Sequence, residues 1–345
     1  MIKSITLTNI RCFTKQSFEF DERSTYIHGV NGTGKTSILE AIHMVSNGKS
    51  HRTNEDKHLI LNDMPFGKIS LQTSTNTYDV VITPKGKRVW VNQQEIQKLS
   101  LFVGRLKSVL FSPEDIDLIK GSPQYKRQFL DVSMMQLDPT YIETLNTYKK
   151  LLKQRNALLK KLNKGQDDTF LNILSQQLSE YGKSIITQRQ TFINTLNYHF
   201  KIVYQTVNND EANVIYKANV SAENIEAIMI KNHEIDMILN TTSSGPHRDD
   251  MQVIFNSALA KDKASQGQQR LLAIALKLAV LEMIKEHTKQ PVVLLLDDVL
   301  SELDEDKQKL ILSYQQDNQQ TIINSALPKE LTKGKTIALK GANHE

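Results

Sequence analysis

The chain has 345 residues, 39% of them hydrophobic, and a formal net charge of +5. That apolar content at this length excludes a disordered chain, and the mild basic excess is compatible with a polyanionic partner without specifying one. Nowhere do about 18 apolar residues run together as a membrane span requires, and the amino terminus, MIKSITLTNIRCF, alternates like a strand instead of carrying an apolar leader core. A cytoplasmic protein is expected. Cys12, the single cysteine, has no disulfide partner and no zinc cluster to join, so core filling is its expected role.

Two short strands, ITLTN and STYIHG, lead into GVNGTGKT at 29–36, and Ile38, Leu39, Ile42 and Val45 follow at helical spacing. Strand, glycine loop and helix in this order make a phosphate loop. Gly29, Val30, Asn31, Gly32, Thr33 and Gly34 would curl their backbone amides around phosphate oxygens, and Lys35 would neutralise them. Thr36 offers a hydroxyl to Mg2+, and Ser37 continues the first helical turn. Between about 67 and 111 the period changes to two, with Val80, Ile82, Val89 and Val91 flanking PKGKR, which predicts a small antiparallel meander.

Ser112-Pro113, Ser122-Pro123 and Asp138-Pro139 then each set a capping oxygen before a proline, so three helices start in close succession. The third carries Leu145, Tyr148, Leu152, Leu159 and Leu162, interrupted by Arg155, and is expected to stop near Gly165. A second periodic stretch over 168–203 completes a helical hairpin of about 35 to 50 Å, a stub and not an extended coiled coil. Lys149, Lys153, Lys160 and Lys164 lie mostly opposite the leucines. A solvated helix face is the plain reading of them, and non-sequence-specific contact with DNA phosphates is the alternative. Lys87 and Arg88, at the tip of the meander, carry the same ambiguity.

NVIYKANV and MQVIFN read as strands, and a long helix is expected from Gln268 to His287. Just before it, SQGQQR supplies Ser265 as an N-cap and Gly267 as a bare backbone position, an anion site in principle and an ordinary cap in isolation. The apolar run Val292 to Leu296 then predicts a buried central strand delivering Asp297 and Asp298 at its carboxyl end. Asp297 suits Mg2+ and Asp298 suits the attacking water, with helix capping as the plain alternative for both.

A phosphate loop near the amino terminus, SQGQQR, and LLLDDVLSELD near the carboxyl terminus together resemble the ABC-type ATPase heads of the SMC, Rad50 and RecF proteins. GKSHRT at 48–53, FSPEDIDLIKGSPQYKRQFLD at 111–131 and SSGPHRDDM at 243–251 are similar to the RecF family in particular. The resemblance implies an α/β fold: an ABC-type ATPase head with an antiparallel β-subdomain and an inserted α-helical lobe, without a long coiled coil. It divides the chain into an ATPase lobe from 1–111 and 241–345 and a helical lobe at 112–240. It makes Gly29 to Ser37 the Walker A loop, Ser265, Gly267 and Gln268 the signature acting on a partner subunit, Asp297 the Walker B carboxylate, and Ser301 to Asp304 the D-loop. ATP and Mg2+ are the implied cofactors. An ATP-dependent homodimer bound to DNA at single-strand/double-strand junctions, working with RecR and RecO to load RecA, is the implied activity. Asp298 stands where a glutamate is usual, Ala326 where a switch histidine is expected, and no Q-loop glutamine is evident between Phe111 and Glu114. Slow hydrolysis is therefore expected, and the resemblance implies that DNA stimulates it. An SMC-like DNA scaffold and a phosphate-loop small-molecule kinase are the alternatives. His51, Arg52, His247 and Arg248 are expected to be structural or near the nucleotide, not metal ligands.

Overall fold

A computed structural model describes residues 1–53, 55–161, 168–314, 319–325 and 334–339. In chain order the elements begin with β1 (Ile2–Ile10), β2 (Phe13–Glu19), β3 (Ser24–His28), α1 (Lys35–Asn47), β4 (Gly67–Thr73), β5 (Thr77–Thr83), β6 (Gly86–Val91), β7 (Gln94–Ile96) and β8 (Lys107–Phe111). They continue with α2 (Asp117–Lys120), α3 (Pro123–Leu137), α4 (Pro139–Leu159), α5 (Thr169–Gln205), β9 (Ala212–Lys217), α6 (Ile225–Lys231), α7 (His233–Leu239), β10 (Asp250–Phe255), β11 (Ala258–Leu259) and α8 (Ala260–Lys263). Last come α9 (Gln266–Thr288), β12 (Val292–Asp297), α10 (Glu305–Ser313), β13 (Gln319–Ser325) and β14 (Lys335–Ala338). Two compact units emerge: residues 1–115 with 274–345, and residues 116–273.

The first unit holds two sheets. β2-β1-β4-β5-β6-β7 is antiparallel, and β14-β3-β13-β12-β8 is parallel. α1 packs against strands of both sheets, which is why nearly every one of its residues is buried, polar ones included. β8 belongs to the parallel sheet and not to the meander expected over 67–111. Its KSVLF run is buried at every position, which an alternating half-exposed strand cannot satisfy. Both ends of the chain enter the parallel sheet, because β3 lies between β13 and β14. Gln320 fastens them: its amide accepts from the Ile2 N–H at 2.7 Å and donates to the carbonyls of Ile2 and Asp21, each at 2.8 Å.

The second unit is built on α3, α4 and α5, with the sheet β11-β10-β9 beside them. Ser122 and Asp138 cap α3 and α4 as their prolines suggested, accepting from the Tyr125 and Thr140 amides. The Ser-Pro at 112–113 opens only a 3-10 turn and the short α2. This unit runs on to Ala273, past residue 240, because β10 pairs along its whole length with β9. Leu162, Gly165 and Lys164 lie outside the described residues.

Polar groups of this unit are spent on one another. Arg189 of α5 is buried and donates to Asp131 at 2.9 Å, Asp249 at 3.1 Å, the Pro246 carbonyl at 2.7 Å and the Tyr141 hydroxyl at 3.1 Å. Tyr141 and Tyr216 donate to Asp131 and Asp249 in turn. Arg155, the interruption in the leucine seam, is fully buried and pairs with Asp236 at 2.7 Å and with the Ser175 and Thr242 hydroxyls. His247 accepts from the Tyr148 hydroxyl at 2.7 Å and lies 3.1 Å from the Thr242 carbonyl, which fixes the proton on its Nε2. Pro246, His247 and Asp249 of the SSGPHRDDM stretch are thus engaged in hydrogen bonds within this unit.

Candidate functional site

β3 ends at His28 and the loop that follows turns on Gly32 and Gly34, whose φ angles of 87° and 93° are left-handed. At Gly34 a Cβ would lie 2.4 Å from the Phe13 ring and 2.7 Å from the Cys12 sulfur, so only glycine fits. Cys12 is exposed beside this loop and does not fill a core, because it sits in the β1–β2 turn. Val30, Asn31 and Gly32 form the exposed outer turn, while Thr33 folds back to the Val30 carbonyl. Gly34 leaves the start of α1 without a side-chain cap, and no acid stands in its first turn. An anion meets open amides there. Lys35 is only 7% exposed, and its Nζ donates to the carbonyls of Gly29 at 2.7 Å and Val30 at 3.1 Å. Phosphate would draw those protons from two neutral acceptors to a charged one.

β12 is buried throughout and runs parallel between β8 and β13. It brings Asp297 to Thr36, whose hydroxyl donates to Asp297 Oδ1 at 2.9 Å across a separation of 261 residues. The same oxygen accepts from the Asn324 side-chain amide at 2.6 Å, and Asn324 Oδ1 accepts the Asp298 N–H at 2.5 Å. Asn324 went unnoticed in the sequence, although a polar residue closing the apolar strand QTIINS was its signal. Burial pushes the Asp297 carboxyl above the ordinary carboxylate range, while Asn324 and Thr36 pull the other way. Asp298 has a φ of 52°, which L-residues seldom adopt, and it accepts from Ser301 Oγ at 3.1 Å. Ala326 falls outside the described residues.

Ser265 and Gln268 belong to the second unit and form a reciprocal capping box at the start of α9. The Gln268 N–H donates to Ser265 Oγ at 3.3 Å, and the Ser265 N–H to Gln268 Oε1 at 2.8 Å. Ser265 and Gly267 are exposed. Asp304 caps α10 through the Lys307 N–H and also pairs with the Lys307 ammonium.

Of the basic candidates, Lys153 is exposed on α4, Lys160 is exposed at its C-cap, and Lys149 is exposed with its ammonium 3.4 Å from Asp131. Lys87 is not a free tip charge: it donates to the Gly48 carbonyl at 2.5 Å and to Asp56 at 2.6 Å, because β6 passes the loop after α1. Arg88 remains 76% exposed, 3.9 Å from Glu95.

Among the described residues no group of three His, Cys, Asp or Glu side chains could hold a metal ion unaided. The Thr36 hydroxyl and the Asp297 carboxylate are hard oxygen donors, and such a pair fits Mg2+, which keeps waters and takes further ligands from substrate phosphates. No described helix is long and apolar enough to cross a membrane.

The profile of a family described as an AAA domain (AAA_23) matches residues 4–336. The DNA replication and repair protein RecF of Acholeplasma laidlawii (strain PG-8A) is 45% identical over 328 residues, covering 95% of this chain and 94% of that one. The chain belongs to the RecF family. RecF of Bacillus thuringiensis (strain Al Hakam) is 38% identical over 362 residues, with 100% of this chain and 94% of the relative covered. A solved structure of the recombination mediator protein RecF-ATP in the RecFOR pathway superposes with a TM-score of 0.91 at 31% identity, over 98% of this chain and 95% of that one. An Smc head bound to the C-terminal winged-helix domain of ScpA shares the fold at a TM-score of 0.51 and 15% identity, over 94% of this chain and 89% of that one. The ATPase-head fold, with short helices in place of a long coiled coil, is the fold of the RecF family.

Proposed function

We propose that the chain is an ATP-switched DNA-binding protein of replication-gap recombinational repair. In this reading an ATP-induced homodimer binds DNA near single-strand/double-strand junctions, works with RecR and RecO to help load RecA, and is reset by slow, DNA-stimulated hydrolysis. The observation that carries it is the meeting of Thr36, Asp297 and Asn324 at the carboxyl ends of strands drawn from both ends of the chain, beside a phosphate loop with open amides.

The loop amides and Lys35 bind the β- and γ-phosphates, and Thr36 and Asp297 hold Mg2+. The cation, when bound, neutralises charge on the transferring phosphoryl group. Asp298, set in its unusual backbone conformation at the strand end, takes the proton of the attacking water. The water oxygen bonds to the γ-phosphorus as the bond to the bridging oxygen breaks, and ADP leaves with the electron pair. Ser265, Gly267 and Gln268 act in trans on the partner's nucleotide, with Ser301 and Asp304 of the D-loop alongside. The exposed Lys149, Lys153 and Lys160, with Arg88, contact DNA phosphates, giving a salt-dependent affinity without base reading. An SMC-like scaffold is the second reading; α4 and α5, at 21 and 37 residues, are short for one.

The test pairs two variants. Lys35→Met loses ATP binding, and Ser265→Arg keeps it but fails to dimerise or turn over. Their mixture forms heterodimers with one intact composite site and regains partial ATPase activity. Heterodimers confirmed by light scattering that regain none would leave a single-subunit ATPase in place of the shared site.

A further inference from the structure

The loop after α1 is tied down by buried hydrogen bonds, and the proposed mechanism gives it no step. Glu40 of α1 is wholly buried and receives a two-pronged grip from Arg11, at 2.9 and 2.7 Å. Ser50 donates to the same carboxylate and, through the same hydroxyl, accepts the N–H groups of Arg52 at 2.9 Å and Thr53 at 3.2 Å. Between them stands His51. Its ring packs edge-on against His43 at 5.3 Å, and its Nε2 lies 3.9 Å from Asp297 Oδ2.

That oxygen is the open one, since Thr36 and Asn324 both occupy Oδ1. A gap of 3.9 Å is too long for a direct hydrogen bond and short enough for a single water to contact both atoms. We propose that His51 is a positioning residue of the nucleotide site, its Nε2–H orienting, together with Asp297 Oδ2, a water next to the terminal phosphate. This rests on the ATPase reading above.

Two further features fit. His51 Nδ1 is buried and has no hydrogen-bond partner among the described residues, so no internal bond fixes the ring for a purely structural purpose. The ring also lies within reach of the site from the α1 side, packed edge-on against buried His43, so Nε2 is the ring nitrogen placed beside Asp297.

Replacing His51 tests this, in the full chain with ATP, Mg2+ and DNA. His51→Ala is expected to slow turnover about ten-fold or more. ATP affinity should stay within about three-fold, and labelled ATP should survive longer on the protein, since positioning is lost and binding is not. His51→Gln, whose amide reaches the same place, should recover most of the rate. Unchanged turnover in His51→Ala would overturn the proposal. So would a joint fall in affinity, turnover and melting temperature that Gln does not repair, because that marks a packing role. A parent chain that fails to bind ATP would overturn the ATPase reading itself, which the first titration decides before any variant is made.

Discussion

Two motif-bearing stretches, the phosphate loop at 29–37 and SSGPHRDDM at 243–251, look alike as clusters of glycine and polar residues and use their polarity in opposite ways. Around residue 249 the donors and acceptors close on each other: Asp249 alone receives Arg189, Tyr216 and the Asn219 amide, and its carbonyl receives Arg127. Around residue 35 they stay available. The start of α1 lacks a side-chain cap, Lys35 rests on neutral carbonyls, and Asp297 takes its two hydrogen bonds from Thr36 and Asn324 on Oδ1, leaving Oδ2 3.9 Å from His51. Polar residues internally saturated build the fold, while polar residues left open await a ligand.

Substitution separates the two most sharply at Arg189. Arg189→Met should destabilise the helical unit by about 3–5 kcal/mol, because it leaves the Asp131 and Asp249 carboxylates buried without their cation. Urea unfolding reads this directly, and a loss below about 1 kcal/mol would mean that the network is incidental. At Lys35 the opposite profile is expected. Lys35→Met should weaken ATP binding by roughly 100-fold or more, about 2.7 kcal/mol, and leave the unfolding midpoint nearly unchanged, since no buried anion loses a partner. Normal affinity in that folded variant would remove the phosphate loop from the site.

The third effect, spread over a range of conditions, is a dependence on pH. Burial pulls the His247 imidazole down to about 4, against about 6.5 in an unfolded chain. Between these values the unfolded state takes up the proton first, so stability is complete above about pH 6.5 and declines as the pH falls towards 4. His247→Gln should flatten this decline in a series of melting temperatures. His51, also drawn down to about 4, preserves part of the slope. A slope identical to that of the parent would place His247 outside the linkage.

Local signals carried much of this. The Ser-Pro and Asp-Pro pairs announced α3 and α4 because a cap and a fixed φ act within one helical turn. The run at 292–296 announced a central strand because burial on both faces needs no partner's identity. What stayed hidden depended on neighbours distant in sequence. Lys87 read as a hairpin tip until Gly48 and Asp56 lay against it. Arg155 read as a break in a seam until Asp236 answered it. β8 and Asn324 gain their meaning from the strands beside them, and strand order in a parallel sheet is not written in any one segment.

The placing of β3 between β13 and β14 has a consequence for how the protein is made. Ile2 and Gln320 are 318 residues apart, which at roughly ten residues per second is about half a minute of translation. Through that interval the glycine loop follows a strand with neither lateral neighbour, while residues 116–273, complete in their own contacts, are free to fold on the ribosome. A chain cut before β13 is therefore expected to lack both the strand that flanks β3 and the Asn324 amide that holds Asp297. The site around Asp297 is thus expected to form late in synthesis, and ATP binding by chains ending before residue 319 measures how late.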